Sequence, residues 1–244
     1  MKAWIAFWNI LMKDMRNYYL KPPNITWGLI FPISWTLMFF LKSQAPGDVR
    51  DLLPGAMGMS VLFGTTSMLA VTITFERRSR SFERLLLAPV GTSLLMLAKT
   101  AGAILFGLFN AAAPVLLALF MTNLRGIAWL QVIAGVFLIA VTSTFLGLMI
   151  AVSVSEVFEA QTFSNFFRFP MVFLCGLFIP LQSLPSFLRP LSYLAPLTYG
   201  VDILKSAVNH NGHIPLAVSF AALLGFCLLL FAVSAVNVKR RWIY

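Results

Sequence analysis

The stretch FERRSRSFERLLLAPVGTSLLMLAKT, residues 75–100, holds the densest run of charge in the chain. Glu76, Arg77, Arg78, Arg80, Glu83, Arg84 and Lys99 lie within it, and long apolar runs flank it on both sides. A charged island of this length between two apolar segments reads as a loop that leaves a membrane and returns to it. Such a loop is where a membrane protein meets something soluble.

Composition supports the membrane reading. Of 244 residues, 59% are hydrophobic and 11% charged. A soluble domain of this size would carry roughly a quarter charged residues. About 20 apolar residues suffice for one helical span. The period-two alternation of a membrane β-barrel is absent. The fold class is therefore an all-α integral membrane protein. The net charge of +10 fits basic residues retained on the cytoplasmic side. Nucleic-acid binding is excluded, because no soluble basic domain exists to carry it. Cys175 and Cys227 sit in apolar runs and read as unpaired thiols.

Before the island, residues 52–75 form an expected span rich in small and hydroxyl residues, among them Gly55, Gly58, Gly64, Thr65, Thr66 and Thr72. Such residues allow close helix approach. An earlier span is expected over residues 24–41, kinked at Pro32. Residues 3–20 place Trp4, Phe7, Leu11, Met15 and Tyr18 on one helical face, with Lys2, Asn9, Lys13 and Arg16 opposite. That pattern predicts an amphipathic helix in the membrane interface, its basic residues turned toward anionic lipid.

After the island, spans are expected over residues 98–122 and 127–153, each with a small-residue stripe: Ala103, Gly107 and Ala111, then Ser143, Gly147 and Ala151. Glu156, Glu159 and Arg168 read as a second cytoplasmic turn. No histidine or third acid joins the two glutamates, so neither catalysis nor a metal site is expected there. A fifth span is placed over residues 163–179. In the segment 181–208, Pro185, Pro190 and Pro196 prevent one continuous helix, yet it stays apolar. It reads as two short helices re-entering the outer leaflet. His210 and His213 are too few for a metal site. A sixth span, residues 215–238, ends at Lys239, Arg240 and Arg241.

With both termini inside, thirteen of the 18 Lys and Arg residues fall in inner segments and five in outer ones. The bias supports six spans with both ends cytoplasmic, which makes the island cytoplasmic. Mid-span ionisable residues are not expected, and this argues against proton- or sodium-coupled transport. Lys99-Thr100 lacks the glycines of a phosphate-binding loop. The chain thus reads as a non-enzymatic pathway with a cytoplasmic docking loop. A membrane scaffold without a transport cycle is the rival from another class.

The island also resembles the first cytoplasmic loop of type-2 ABC transporter permeases. The likeness runs through Glu76, Arg77, Glu83, Arg84, Leu85, Leu86, Pro89, Val90 and Lys99. Downstream it continues through Asn165, Phe169-Pro170, Gly176, Pro180, Leu184-Pro185, Pro196-Leu197-Thr198-Tyr199 and Asp202. Ala88 departs from a common threonine, and Arg80-Ser81 from a frequent Ser-Gly. The resemblance implies a membrane subunit that exports a hydrophobic or amphipathic drug or lipid, with a polysaccharide as the alternative cargo. It implies an ATPase-coupling set of Glu76, Arg77, Arg80, Phe82, Glu83, Arg84, Leu85, Leu86 and Pro89, with the coupling helix over residues 81–89 and an exposed lead-in over 76–80. It implies an interface helix carrying Trp4, Phe7, Lys13 and Arg16. It also implies an outer re-entrant gate of Pro180, Pro185, Pro196, Thr198, Tyr199 and Asp202. ATP and magnesium would be bound by two separate ATPase subunits, and a second copy of this permease or a homologous one would complete the transporter. The location implied is the inner (plasma) membrane.

Overall fold

The computed structural model describes residues 2–26, 30–42, 47–86, 91–238 and 240. Every regular element among them is helical. In chain order these are α1 (Lys2–Asp14), a π-helical turn (Met15–Tyr19), α2 (Pro22–Ile25), α3 (Phe31–Lys42), α4 (Gly47–Arg78) and α5 (Ser81–Leu86). Next come α6 (Thr92–Met121), α7 (Trp129–Ser153), α8 (Val157–Leu174), a 3-10 turn (Leu181–Ser183), α9 (Arg189–Tyr193), α10 (Pro196–Asn209) and α11 (Leu216–Val238).

Among the described residues, four helices are long and apolar enough to cross a membrane: residues Val49–Arg78 of α4, Ser93–Met121 of α6, Trp129–Ser153 of α7 and Leu216–Val238 of α11. The expected first span is represented by α3, whose 12 residues would reach about 18 Å at 1.5 Å per residue, short of the hydrocarbon core. Pro32, where a kink is expected, is buried in the first turn of α3, a position that tolerates the missing amide of proline. Most of the residues expected for the fifth span, 163–179, fall on α8, which starts six residues earlier and is not among those four helices. The start of α8 is fixed by Glu159, whose carboxylate reaches back to accept from the amides of Ser155 at 3.1 Å and Glu156 at 3.3 Å. This satisfies amide groups that a helix N-terminus leaves open. The two glutamates are therefore a cap. The end of α8 is set by Gly176, whose φ of +81° is left-handed.

The helices pack around α4, whose apolar stretch is almost wholly buried, while α11 stays peripheral. Small residues make this possible. A Cβ added at Gly147 of α7 would lie 2.5 Å from the backbone carbonyl oxygen of Thr66 in α4. One at Gly107 of α6 would lie 2.2 Å from Cγ2 of Thr65. Both stripes predicted on α6 and α7 thus face α4, where Thr66 also donates to the Ser143 carbonyl at 3.2 Å. Cys175 and Cys227 are free thiols.

At the end of the bundle formed by the start of α4, helix α10 is tied down by side chains. Arg50 donates from Nη2 to the Val208 carbonyl at 2.8 Å, and Asn209 donates to Asp51 at 2.9 Å. Lys205 donates to the Gly176 carbonyl at 2.5 Å, joining α10 to the end of α8.

Candidate coupling site

The charged island folds at the opposite end of α4. Helix α4 runs through Glu76 and stops at Arg78. Arg80 adopts a left-handed φ of 54° and reverses the chain. The hydroxyls of Ser79 and Ser81 both donate to the Glu76 carbonyl at 3.2 Å, satisfying an orphan acceptor at the helix end. Then α5 begins. Its Phe82 is buried against Ile10 of α1 and Leu95 and Ala98 of α6, with Phe7 and Leu85 partly covering the cluster. Arg80 and Arg84 are exposed. Arg77 donates weakly to the Ala151 carbonyl at 3.5 Å, and Arg78 pairs with Glu156 at the start of α8. The backbones of Glu83 and Leu86 lie in α5. Pro89 lies outside the described residues.

Of the expected lead-in, Arg78, Ser79 and Arg80 are exposed and Arg77 is half-buried, but Glu76 departs from the expectation. Glu76 is fully buried, at 0% exposure, because it belongs to a four-charge cluster. Lys99 of α6 donates to Asp14 at 3.0 Å and pairs with Glu76. Lys13 lies 2.6 Å from the other Glu76 oxygen and 2.8 Å from the other Asp14 oxygen. Asp14 is 0% and Lys99 1% exposed. Two cations and two anions alternate, so the cluster is neutral and each buried carboxylate meets two ammonium groups. Burial opposes the Lys13 charge, but its hydrogen bonds to Asp14 and Glu76 more than offset this and hold its pKa above the usual 10.5. This corrects the expected role of Lys13. It faces α4 and α6 instead of anionic lipid.

The π-helical turn after Asp14 contributes to this geometry. A residue inserted into the helical register rotates the residues downstream of it. It buries Tyr19 completely against Phe106, with ring centroids 5.4 Å apart. The predicted apolar face placed Tyr18 there instead. Burial, then the neighbouring Asp14 and Glu76 charges, push the Tyr19 phenol well above its usual pKa of 10. Trp4 stays exposed and stacks on Phe7 at 5.4 Å, and Arg16 is exposed.

Sequence reasoning did not single out Asp14. Its signal was present: it is the only acid before Asp48. Lys99 is likewise the only charge between Arg84 and Arg125. Lys99, isolated in apolar sequence, calls for an opposite partner, whereas Asp14 sits between Lys13 and Arg16.

The predicted gate residues fall on two elements. Pro196 opens α10, where Thr198 donates to the Ser192 carbonyl at 2.6 Å and Tyr199 to that of Tyr193 at 2.9 Å. Asp202 accepts from the His213 amide at 2.8 Å, the Ile214 amide at 3.3 Å and the Ser219 hydroxyl at 3.1 Å, which seats the start of α11. Pro180 and Pro185 bracket the 3-10 turn and are exposed. Arg168 is a further correction. It does not lie in a cytoplasmic turn but within α8, buried against the middle of α4.

Residues 5–209 match the family described as ABC-2 type transporter. The chain belongs to this family. It is a multi-pass membrane permease component of an ABC transporter. It is similar to the inner membrane transport permease YadH of Escherichia coli (strain K12), with 26% identity over 97% of this chain and 96% of that protein. It is also similar to nodulation protein J of Sinorhizobium fredii, at 28% over 98% of this chain and 93% of that protein. Nodulation protein J of Bradyrhizobium diazoefficiens is 28% identical over 76% of this chain and 72% of that protein.

Proposed function

We propose that this ABC-2 permease is the pathway-forming subunit of an ATP-driven exporter of hydrophobic or amphipathic substrates in the inner membrane. In this reading α3 and α8 complete six spans and both termini are cytoplasmic. Two copies, or one copy and a homologous permease, pair with two ATPase subunits that bind ATP and magnesium. Helix α5 and the residues after it dock in the ATPases, and the segment from the 3-10 turn through α10 closes the outer end.

The observation that carries this reading is the mounting of α5. Its Phe82 is packed against α1 and α6, and the turn before it grows from a helix end pinned by a buried ion cluster. Arg80 and Arg84 face outward from that base. A short helix held rigidly beneath exposed basic side chains is suited to transmit force. A membrane scaffold would not need such a base.

The test is the charge swap Glu83→Arg with Arg84→Glu. Membrane insertion is expected to persist while co-purification of the ATPase and nucleotide-dependent export are lost. If the swapped permease still binds the ATPase and exports, the docking role of α5 is wrong.

A further inference from the structure

Arg168 is a buried cation that meets the middle of α4. It is 1% exposed and sits within α8. Its Nη1 donates at 3.3 Å to the carbonyl of Phe63, which lies at the midpoint of the 32-residue helix α4. Its Nε donates to the Ser164 carbonyl at 3.2 Å, and its Nη2 donates to the Asn165 side-chain oxygen. The guanidinium lies over the Phe63 ring, with its carbon 4.4 Å from the centroid. Among the described residues no carboxylate pairs with it. Its charge is held only by neutral carbonyl dipoles and a ring face.

A charge at the centre of a membrane helix costs about 2.5–3.5 kcal/mol even on insertion scales. Structural packing at this position needs no charge. An anion brought to it would relieve that cost. The neighbour of Arg168 that reaches the surface is Asn165. Asn165 is half-buried, whereas Ser164 and Phe63, which supply the other two acceptors, are fully buried residues. Phe166, 70% exposed, and Phe169 lie beside it on α8. A charged oxygen in place of the Asn165 oxygen would convert a bond to a neutral acceptor into an ion pair. Charge-assisted bonds are roughly twice as strong as neutral ones. An apolar tail attached to that oxygen would lie along the phenyl rings.

We propose that Arg168, released from Asn165, recognises the anionic group of an amphipathic cargo at the seam between α4 and α8. The export reading above is what makes the ligand a cargo, and this inference rests on it for that step. The substrate class is a single-chain amphiphile with a phosphate- or carboxylate-type head. Arginine suits this role because its planar fork binds such oxygens in pairs, which lysine cannot do.

The test uses the full chain in nanodiscs of phosphatidylcholine, without nucleotide or ATPase. Dodecyl phosphate binding is measured by thermophoresis, with dodecyltrimethylammonium and dodecyl maltoside as controls bearing the same tail. Wild type is expected to bind the phosphate at least roughly tenfold more tightly than either control, the scale of one charge-assisted bond. Arg168→Gln is expected to erase that preference, and Arg168→Lys to retain only part of it. Asn165→Ala keeps the arginine and removes the competing acceptor, so the phosphate should bind more tightly. That variant carries the test should Arg168→Gln fail to fold. Equal binding of the three amphiphiles, an unchanged preference in Arg168→Gln, or weaker phosphate binding in Asn165→Ala would overturn the site. Repeating the titration in phosphatidylglycerol separates the two sources of anion. Retained binding supports a cargo, whereas loss by competition would make the ligand a bilayer headgroup and overturn the cargo assignment. Because no ATPase is present, failure here is distinct from failure of the docking test.

Discussion

Replacing Lys99 with methionine tests whether the four-charge cluster holds the α1–α4–α6 corner together. Both ammonium groups touch Asp14 and Glu76, and Lys99 is the fully buried one. Methionine keeps the length of the side chain and removes the charge. Two fully buried carboxylates would then share Lys13 alone, leaving one uncompensated negative charge. Removing one partner of a buried ion pair costs about 3–5 kcal/mol, because the remaining charge stays desolvated. Lys13, with a side chain 32% exposed, cannot fill both positions, so the loss should fall in that range. The companion change Glu76→Gln tests the sign. In the double variant, Lys13 and Asp14 remain as a balanced pair, so the second change should recover part of the loss. Unfolding in a graded denaturing detergent is read by the intrinsic fluorescence of the six tryptophans, two of which, Trp4 and Trp8, lie on α1. A double-mutant cycle over these positions should give a coupling of at least roughly 1 kcal/mol, within the range for residues sharing one network. A single-variant loss below about 1 kcal/mol, the scale of an exposed pair, or strict additivity in the cycle would refute the reasoning.

The same region and the core give further expected outcomes. Lys13 and Tyr19 both have raised pKa values in the folded state. The folded chain therefore holds protons that the unfolded chain releases above about pH 10, and linkage makes stability fall as pH rises through that range. From these two groups the profile should be flat between about pH 6 and 9, by the ordinary values near 10. Tyr19→Phe should reduce the alkaline slope and be neutral or mildly stabilising below it, since the buried hydroxyl has no hydrogen-bond partner among the described residues; a loss above about 2 kcal/mol near neutral pH would contradict this. Gly147→Ala should separate α7 from α4 at Thr66 and cost about 1–3 kcal/mol in the same unfolding assay, the usual penalty of overpacking; wild-type stability in that variant would show that the crossing can relax.

The helical membrane class, the charged loop and the packing stripes were legible because each rests on local patterning. Hydropathy marks α4, α6, α7 and α11, and small residues at four-residue spacing mark the faces of α6 and α7 that meet α4. The burial of Glu76 and Lys99 was not legible in the same way. Periodicity places a charge on a face, but Glu76 is buried by contacts with residues 63 positions before it and 23 after it. The loop looked exposed because charge usually is. The π-helical turn moved Tyr19 inward, and no propensity marks a single inserted residue. A charge such as Arg168 near two glutamates reads as loop. The glutamates instead start α8, and the arginine faces inward about two and a half turns beyond the last of them.

The two ends of α4 are held by different chemistry, which constrains how the proposed cycle can work. At Glu76 the holding groups are side chains of both signs, buried and mutually neutralised, so α1, α4 and α6 meet at a joint that one altered charge would disrupt. At Arg50 the holding group is a cation on the Val208 carbonyl, with Asp51 taking the adjacent Asn209. Backbone carbonyls carry no net charge, so that contact can slide or re-form without leaving a buried ion unpaired. A push on α5 would then be delivered through the rigid joint into α4 as a whole, and any change of geometry would be taken up at the α10 end. That ordering matches the proposed roles: force enters where the contacts are stiff, and the outer segment opens where they can be exchanged.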